Sequence, residues 1–148
     1  MECSRAGASA VALWATQRLL PLVRGGEFAQ GLEKGRGAAL LLHGLIASDA
    51  RFVAGPAPEL DIVVWALRAA SIEESSQRAQ EVFDRAAEGG LHLALAHLPA
   101  WFFPGAGWSG VDAGKEGAAL VTCLRSVVMK PEHLEWVKEI GERLRRAI

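Results

Sequence analysis

Tyrosine is absent from these 148 residues, so no phenolic acid is available to any chemistry housed in them. Cysteine is scarce. Cys3 and Cys123 cannot build a disulfide framework, which points to a reducing, cytoplasmic setting with Cys123 as a small core residue. Neither sign of charge is in excess: 16 Lys and Arg against 17 Asp and Glu leave a formal charge of -1. That balance gives no reason to expect nucleic acid or an anionic membrane as partner. No apolar run approaches the ~20 residues of a membrane span. Ala8–Ala15 has the look of a short signal core, but Glu2 before it and Gln17-Arg18 after it argue against that role. Metal chemistry has no foothold, because the histidines are scattered and neither cysteine has a partner at ligand spacing. No glycine-rich phosphate loop follows a strand; Gly35-Arg36-Gly37 falls inside a helical stretch. Repeats and low-complexity segments are missing too.

What remains is an ordinary domain composition, 51% hydrophobic and 22% charged, long enough to bury a core and by size a single domain. Its organising stretch is 118–136. Leu120–Met129 is β-branched, apolar or small at almost every position, as a covered strand requires. Pro131 and Glu132 then open a helix whose inner face is Leu134, Val137, Ile140, Gly141 and Leu144. Earlier, Ser9–Leu20 and roughly 27–46 read as helices, the second with Phe28, Leu32, Ala39, Leu42 and Ile46 inward. Leu40-Leu41-Leu42 suggests that this helix is covered on more than one side. Arg51–Val53 reads as a short strand and Ile62–Leu67 as a clear one. Ser71 with Glu74 forms a capping box for a helix to about Glu88. Leu91–Leu98 is the next strand, and 99–117, with Pro99, Pro104 and several glycines, is a long loop. The pattern predicts an α+β fold: strands near 62–67, 91–98 and 119–128 in one small antiparallel sheet, with the later helices on a single face.

Few residues suggest chemistry. His92 and His97 read as structural histidines, and Trp101-Phe102-Phe103 as core or interface rather than a ligand platform. A Ser126, His133 and Asp112 set exists on paper, with nothing local to recommend it. Arg125 is the exception. A guanidinium in the middle of an apolar strand is costly unless an acid pairs with it, either Asp61 or Glu59 within the chain or an anion from outside.

At Arg125 the sequence also resembles a known family. Leu124-Arg125-Ser126-Val127-Val128-Met129-Lys130-Pro131, followed by a helix ending Ile140-Gly141-Glu142-Arg143-Leu144, is similar to the C-terminal end of the group II pyridoxal-phosphate-dependent decarboxylases. Leu91-His92-Leu93 with His97-Leu98 resembles the strand preceding the last strand of the aromatic amino acid decarboxylases. Cys3-Ser4-Arg5 and Ala12-Leu13-Trp14 resemble the element that follows the family's cofactor lysine, with Ala12 where the family usually has lysine.

The resemblance implies the C-terminal part of a fold type I pyridoxal-phosphate-dependent enzyme. Residues 1–48 would be helices from the end of the large cofactor domain and the linking helix, and 49–148 the small C-terminal α/β domain. It further implies a carboxy-lyase acting on an aromatic L-amino acid rather than an acidic one, working as a homodimer with pyridoxal phosphate. Arg125 would hold the substrate carboxylate, and Ser4 would lie beside the cofactor phosphate and the substrate ring. The Schiff-base lysine would lie upstream: Lys34, Lys115, Lys130 and Lys138 match no part of its motif. On that ground the chain alone is expected to be inactive. Two other readings stay open. One is a catalytically inactive interaction or dimerisation domain derived from the family; the other is a ferredoxin-like small-molecule-binding regulatory domain.

Overall fold

A computed structural model of the chain describes residues 6–108 and 119–148. Four helices, α1 (Ala6–Leu19), α2 (Glu27–Ala47), α3 (Ile72–Glu88) and α4 (His133–Arg146), accompany four strands, β1 (Phe52–Ala54), β2 (Ile62–Leu67), β3 (Ala94–Pro99) and β4 (Leu120–Val127). The strands form one sheet in the order β1-β2-β4-β3, antiparallel throughout. β2, α3 and β3 make a split β-α-β unit: β4 inserts between the two strands that α3 connects. The place beside β2 is taken by β1, which precedes the unit. The order β-β-α-β-β-α therefore departs from the β-α-β-β-α-β of a ferredoxin-like domain.

One sheet face carries the main core. Phe52, Val63, Trp65, Leu67 and Leu124 point into it, against Ala38, Ala39, Leu42 and Ile46 of α2, Ala79, Val82 and Ala86 of α3, and Val137 and Leu144 of α4. Three helices thus share that face, as expected for a half-buried antiparallel sheet. Small residues set the spacing. At Gly35 a Cβ would meet the Val128 carbonyl at 3.2 Å, and at Gly37 it would meet Leu134 Cδ1 at 3.4 Å. Gly35-Arg36-Gly37 is therefore a close-packing seam between α2 and the β4–α4 region.

Several local expectations change. Phe28 and Leu32 are exposed, and so are Leu40 and Leu41; α2 is covered on one side only, where alanines and Leu42 meet the sheet. The third strand starts at Ala94, because Leu91 N–H closes the end of α3 on the Ala86 carbonyl at 2.8 Å. Pro131 lies in a turn before α4, which begins at His133. The capping box is one-sided. Ser71 Oγ accepts from Glu74 N–H at 3.2 Å, but the Glu74 carboxylate takes the N–H of Ala70 rather than of the cap residue.

The second face is half covered. Val53, Ala66, Val121 and Cys123 are sealed by Ala100, Phe103 and Trp108 from the segment after β3. In its described part that segment holds two short 3-10 turns, Ala100–Phe102 and Pro104–Ala106. Arg68 pins it in place: Nε donates to Ala50 O at 2.9 Å and Nη1 to Gly105 O at 3.0 Å.

Candidate functional site

The other half of that second face is left open by the described residues, and its floor follows from strand alternation. Leu124 is wholly buried on the helix side, so Arg125 projects to the opposite side, beyond Cys123. Arg125 stands across from Val64 of β2 and from Ala94 of β3. Ile62 and Val127, paired with each other, are 47% and 38% exposed beside it. The result is an exposed guanidinium on an apolar floor.

Burial therefore does not force a partner on Arg125; the expected cost of an apolar surrounding is absent because the side chain is exposed. Asp61 is engaged through its backbone, accepting from Val128 N–H at 2.9 Å, and Glu59 through its carbonyl, accepting from Arg36 Nε at 3.1 Å. Among the described residues no acid forms an ion pair with Arg125. An exposed, unpaired fork on an apolar surface is suited to bind a carboxylate bidentately while the floor takes the apolar part of the same molecule.

The other sequence candidates separate. Ser4 and Asp112 lie outside the described residues. Ser126 and His133 do line one cleft of about 410 Å³ with His92, Trp136 and Arg143. No hydrogen bond joins Ser126 to His133: His133 Nδ1 accepts from Lys130 N–H at 3.2 Å, which ties the ring to the start of α4. His97 Nδ1 pairs with Thr122 Oγ1 at 3.1 Å across β3 and β4. Phe103 is buried, Phe102 partly so, and Trp101 is 39% exposed. Burial pushes the Cys123 thiol up to about 11, so it is no nucleophile. The open apolar floor around Arg125 was not anticipated from sequence; the signal available was Ile62 and Val64 alternating with Val63 and Trp65.

A lysine that carries pyridoxal phosphate must be sheltered from water. Lys34, Lys130 and Lys138 are all exposed, so the described residues do not by themselves fit that cofactor.

Solved structures share this fold. Over 90% of its length the chain matches 25% of a crystal structure of tryptophan decarboxylase from Oryza sativa with pyridoxal phosphate and tryptamine, at TM-score 0.59 and 16% identity. A structure of the same rice enzyme with pyridoxal phosphate matches at TM-score 0.57 and 18% identity, over 90% of this chain and 26% of that one. The chain thus spans about a quarter of the length of the proteins it matches. No family model matches the sequence, and no curated protein does. The chain shares its fold with one portion of these two rice enzyme structures.

Proposed function

We propose that this chain is the C-terminal part of a pyridoxal-phosphate-dependent decarboxylase of the group II kind, acting on an aromatic L-amino acid, and that Arg125 holds the substrate's carboxylate. The observation that carries the reading is Arg125 itself, exposed and without an acid partner among the described residues, on the open half of a sheet whose fold matches the rice enzyme. The guanidinium would fix the carboxylate, and Ile62, Val64 and Val127 would exclude water from one side of the substrate. Pyridoxal phosphate supplies the electron sink for carbon dioxide loss in such enzymes; its lysine and its pocket would come from polypeptide outside these residues. In the same reading Ser4, which lies outside the described residues, would stand beside the cofactor phosphate and the substrate ring. Homodimerisation of the longer polypeptide belongs to the same reading. The exposed Val11, Leu13, Trp14 and Leu19 of α1 support a further protein surface against this region.

The test is made on the longest polypeptide that carries this segment, captured from its source cells with an antibody to residues 119–148. Release of carbon dioxide from L-tryptophan or L-tyrosine, dependent on pyridoxal phosphate, is expected. Arg125→Lys should raise KM at least tenfold, because the charge stays but the fork is lost. The 148-residue chain alone should release no more than free pyridoxal phosphate does. A captured polypeptide with no decarboxylase activity would overturn the enzyme reading.

A further inference from the structure

The cleft of about 410 Å³ that holds Ser126 and His133 opens between the turn after α3, the end of β4 and the first turns of α4. Leu91, Val128 and Ile140, buried or half-buried, line it, and the Trp136 indole, 51% exposed, joins them. Hydrogen bonds hold its walls in place. His133 Nδ1 accepts from Lys130 N–H at 3.2 Å, while His133 N–H returns to the Lys130 carbonyl at 2.9 Å. The same imidazole meets Trp136 edge to face, with ring centroids 6.0 Å apart. Farther along α4, Arg143 Nη1 donates to the Gly89 and Gly90 carbonyls at 3.3 and 3.4 Å, which ties α4 to the end of α3.

Polar groups with spare hydrogen-bonding capacity line the same cleft. Because Nδ1 accepts a backbone N–H, neutral His133 carries its proton on Nε2, and that N–H has no acceptor among the described residues. Ser126 Oγ and the ring nitrogens of His92 likewise have no hydrogen bond among the described residues. The two charged side chains are spent on each other. Glu139 Oε1 accepts from Arg143 Nε and Nη2 at 3.0 and 2.6 Å. The cleft therefore offers aromatic surface and free hydrogen-bonding groups, but no unpaired charge of either sign.

We propose that this cleft binds a neutral, planar heteroaromatic molecule with a carboxamide-like polar edge. Apolar and aromatic walls with a few convergent polar groups are the usual lining of a small-molecule site. The rings of Trp136 and His133 favour a flat aromatic ligand over an aliphatic one of equal size. His133 N–H can donate to a ligand carbonyl, and the Ser126 hydroxyl can accept from the amide beside it. An anion would find no free fork on Arg143. A metal ion would find no group of three ligands among the described residues. The inference does not rest on the decarboxylase reading: the cleft shares Val127 with the floor around Arg125 but not Arg125 itself, and it requires no catalysis.

The experiment is titration of the full chain with nicotinamide, followed by NMR at the imidazole C–H signals of its four histidines. Saturable shifts at His92 and His133 are expected, with His43 and His97 unmoved. Cyclohexanecarboxamide keeps the amide without the flat ring, and nicotinate keeps the ring but carries a carboxylate; each should bind at least tenfold more weakly. Trp136→Ala should weaken nicotinamide at least tenfold, and its half-exposed indole can be lost without unfolding the chain. Trp14→Ala, at an indole of similar exposure on α1, should leave the affinity within twofold. Absence of a saturable shift, equal shifts at all four histidines, or equal losses in the two variants would each overturn the proposal. So would either analogue binding as tightly as nicotinamide.

Discussion

Gly35 of α2 lies so close to the end of β4 that a methyl group on its Cα would sit 3.2 Å from the Val128 carbonyl oxygen. That oxygen belongs to a residue whose N–H is held by the Asp61 carbonyl at 2.9 Å, so the backbone has little room to retreat. Gly35→Ala should destabilise the chain by about 1–3 kcal/mol through overpacking. Gly44, on the same helix but with open space around its Cα, should behave in the opposite sense. Gly44→Ala should stabilise by roughly 0.5–1 kcal/mol through helix propensity. Urea midpoints of the two variants check both signs.

Leu124 and Arg125 are chain neighbours on opposite sheet faces, and their substitutions should diverge. Leu124→Ala removes a wholly buried side chain from the helix-side core and should cost about 2–5 kcal/mol. Arg125→Ala should stay within about 0.5 kcal/mol, because the exposed guanidinium has no acid partner among the described residues. A stability loss for Arg125→Ala as large as that for Leu124→Ala would make this arginine structural.

Cys123 is fully buried, with its thiol held near 11. In a Cys3→Ser background the native chain should resist iodoacetamide at pH 8 and react once unfolded in urea, as mass spectrometry would show. Rapid alkylation of the native chain would contradict the sealed second face.

Asp49 carries the chain's clearest pH dependence. The Arg51 guanidinium, bonded through Nε and Nη2, holds its carboxyl at about 2, below the ordinary 3.8, while burial opposes the effect. A folded value below the unfolded one means that the ionised group stabilises the fold. The contribution should be complete above about pH 4 and lost as pH falls toward 2. Asp49→Asn should therefore be less stable than the parent by a constant amount above that range, the gap closing in acid. Thermal melts of both proteins from pH 2 to 7 would show it; a gap that persisted at pH 2 would refute the assignment.

Much of the fold was legible in the sequence because local chemistry dictated it. Ile62–Leu67 became a strand at the expected residues, the spacing of Val137, Gly141 and Leu144 marked the inner face of α4, and Ser71 capped α3. Arg125 also stood out locally, as a cation in an apolar run. Tertiary structure decided what periodicity leaves open. It left Phe28 and Leu32 in water, because the sheet reaches only the C-terminal half of α2, where Ala38, Ala39, Leu42 and Ile46 are buried. It set β4 between β2 and β3, which gave Arg125 the neighbours Val64 and Ala94 rather than Asp61 or Glu59. The same packing brought His92 and Trp136, distant in the chain, to one cleft. A strand's sequence fixes which side chains alternate, but which face is covered, and by what, depends on contacts between residues far apart in the chain.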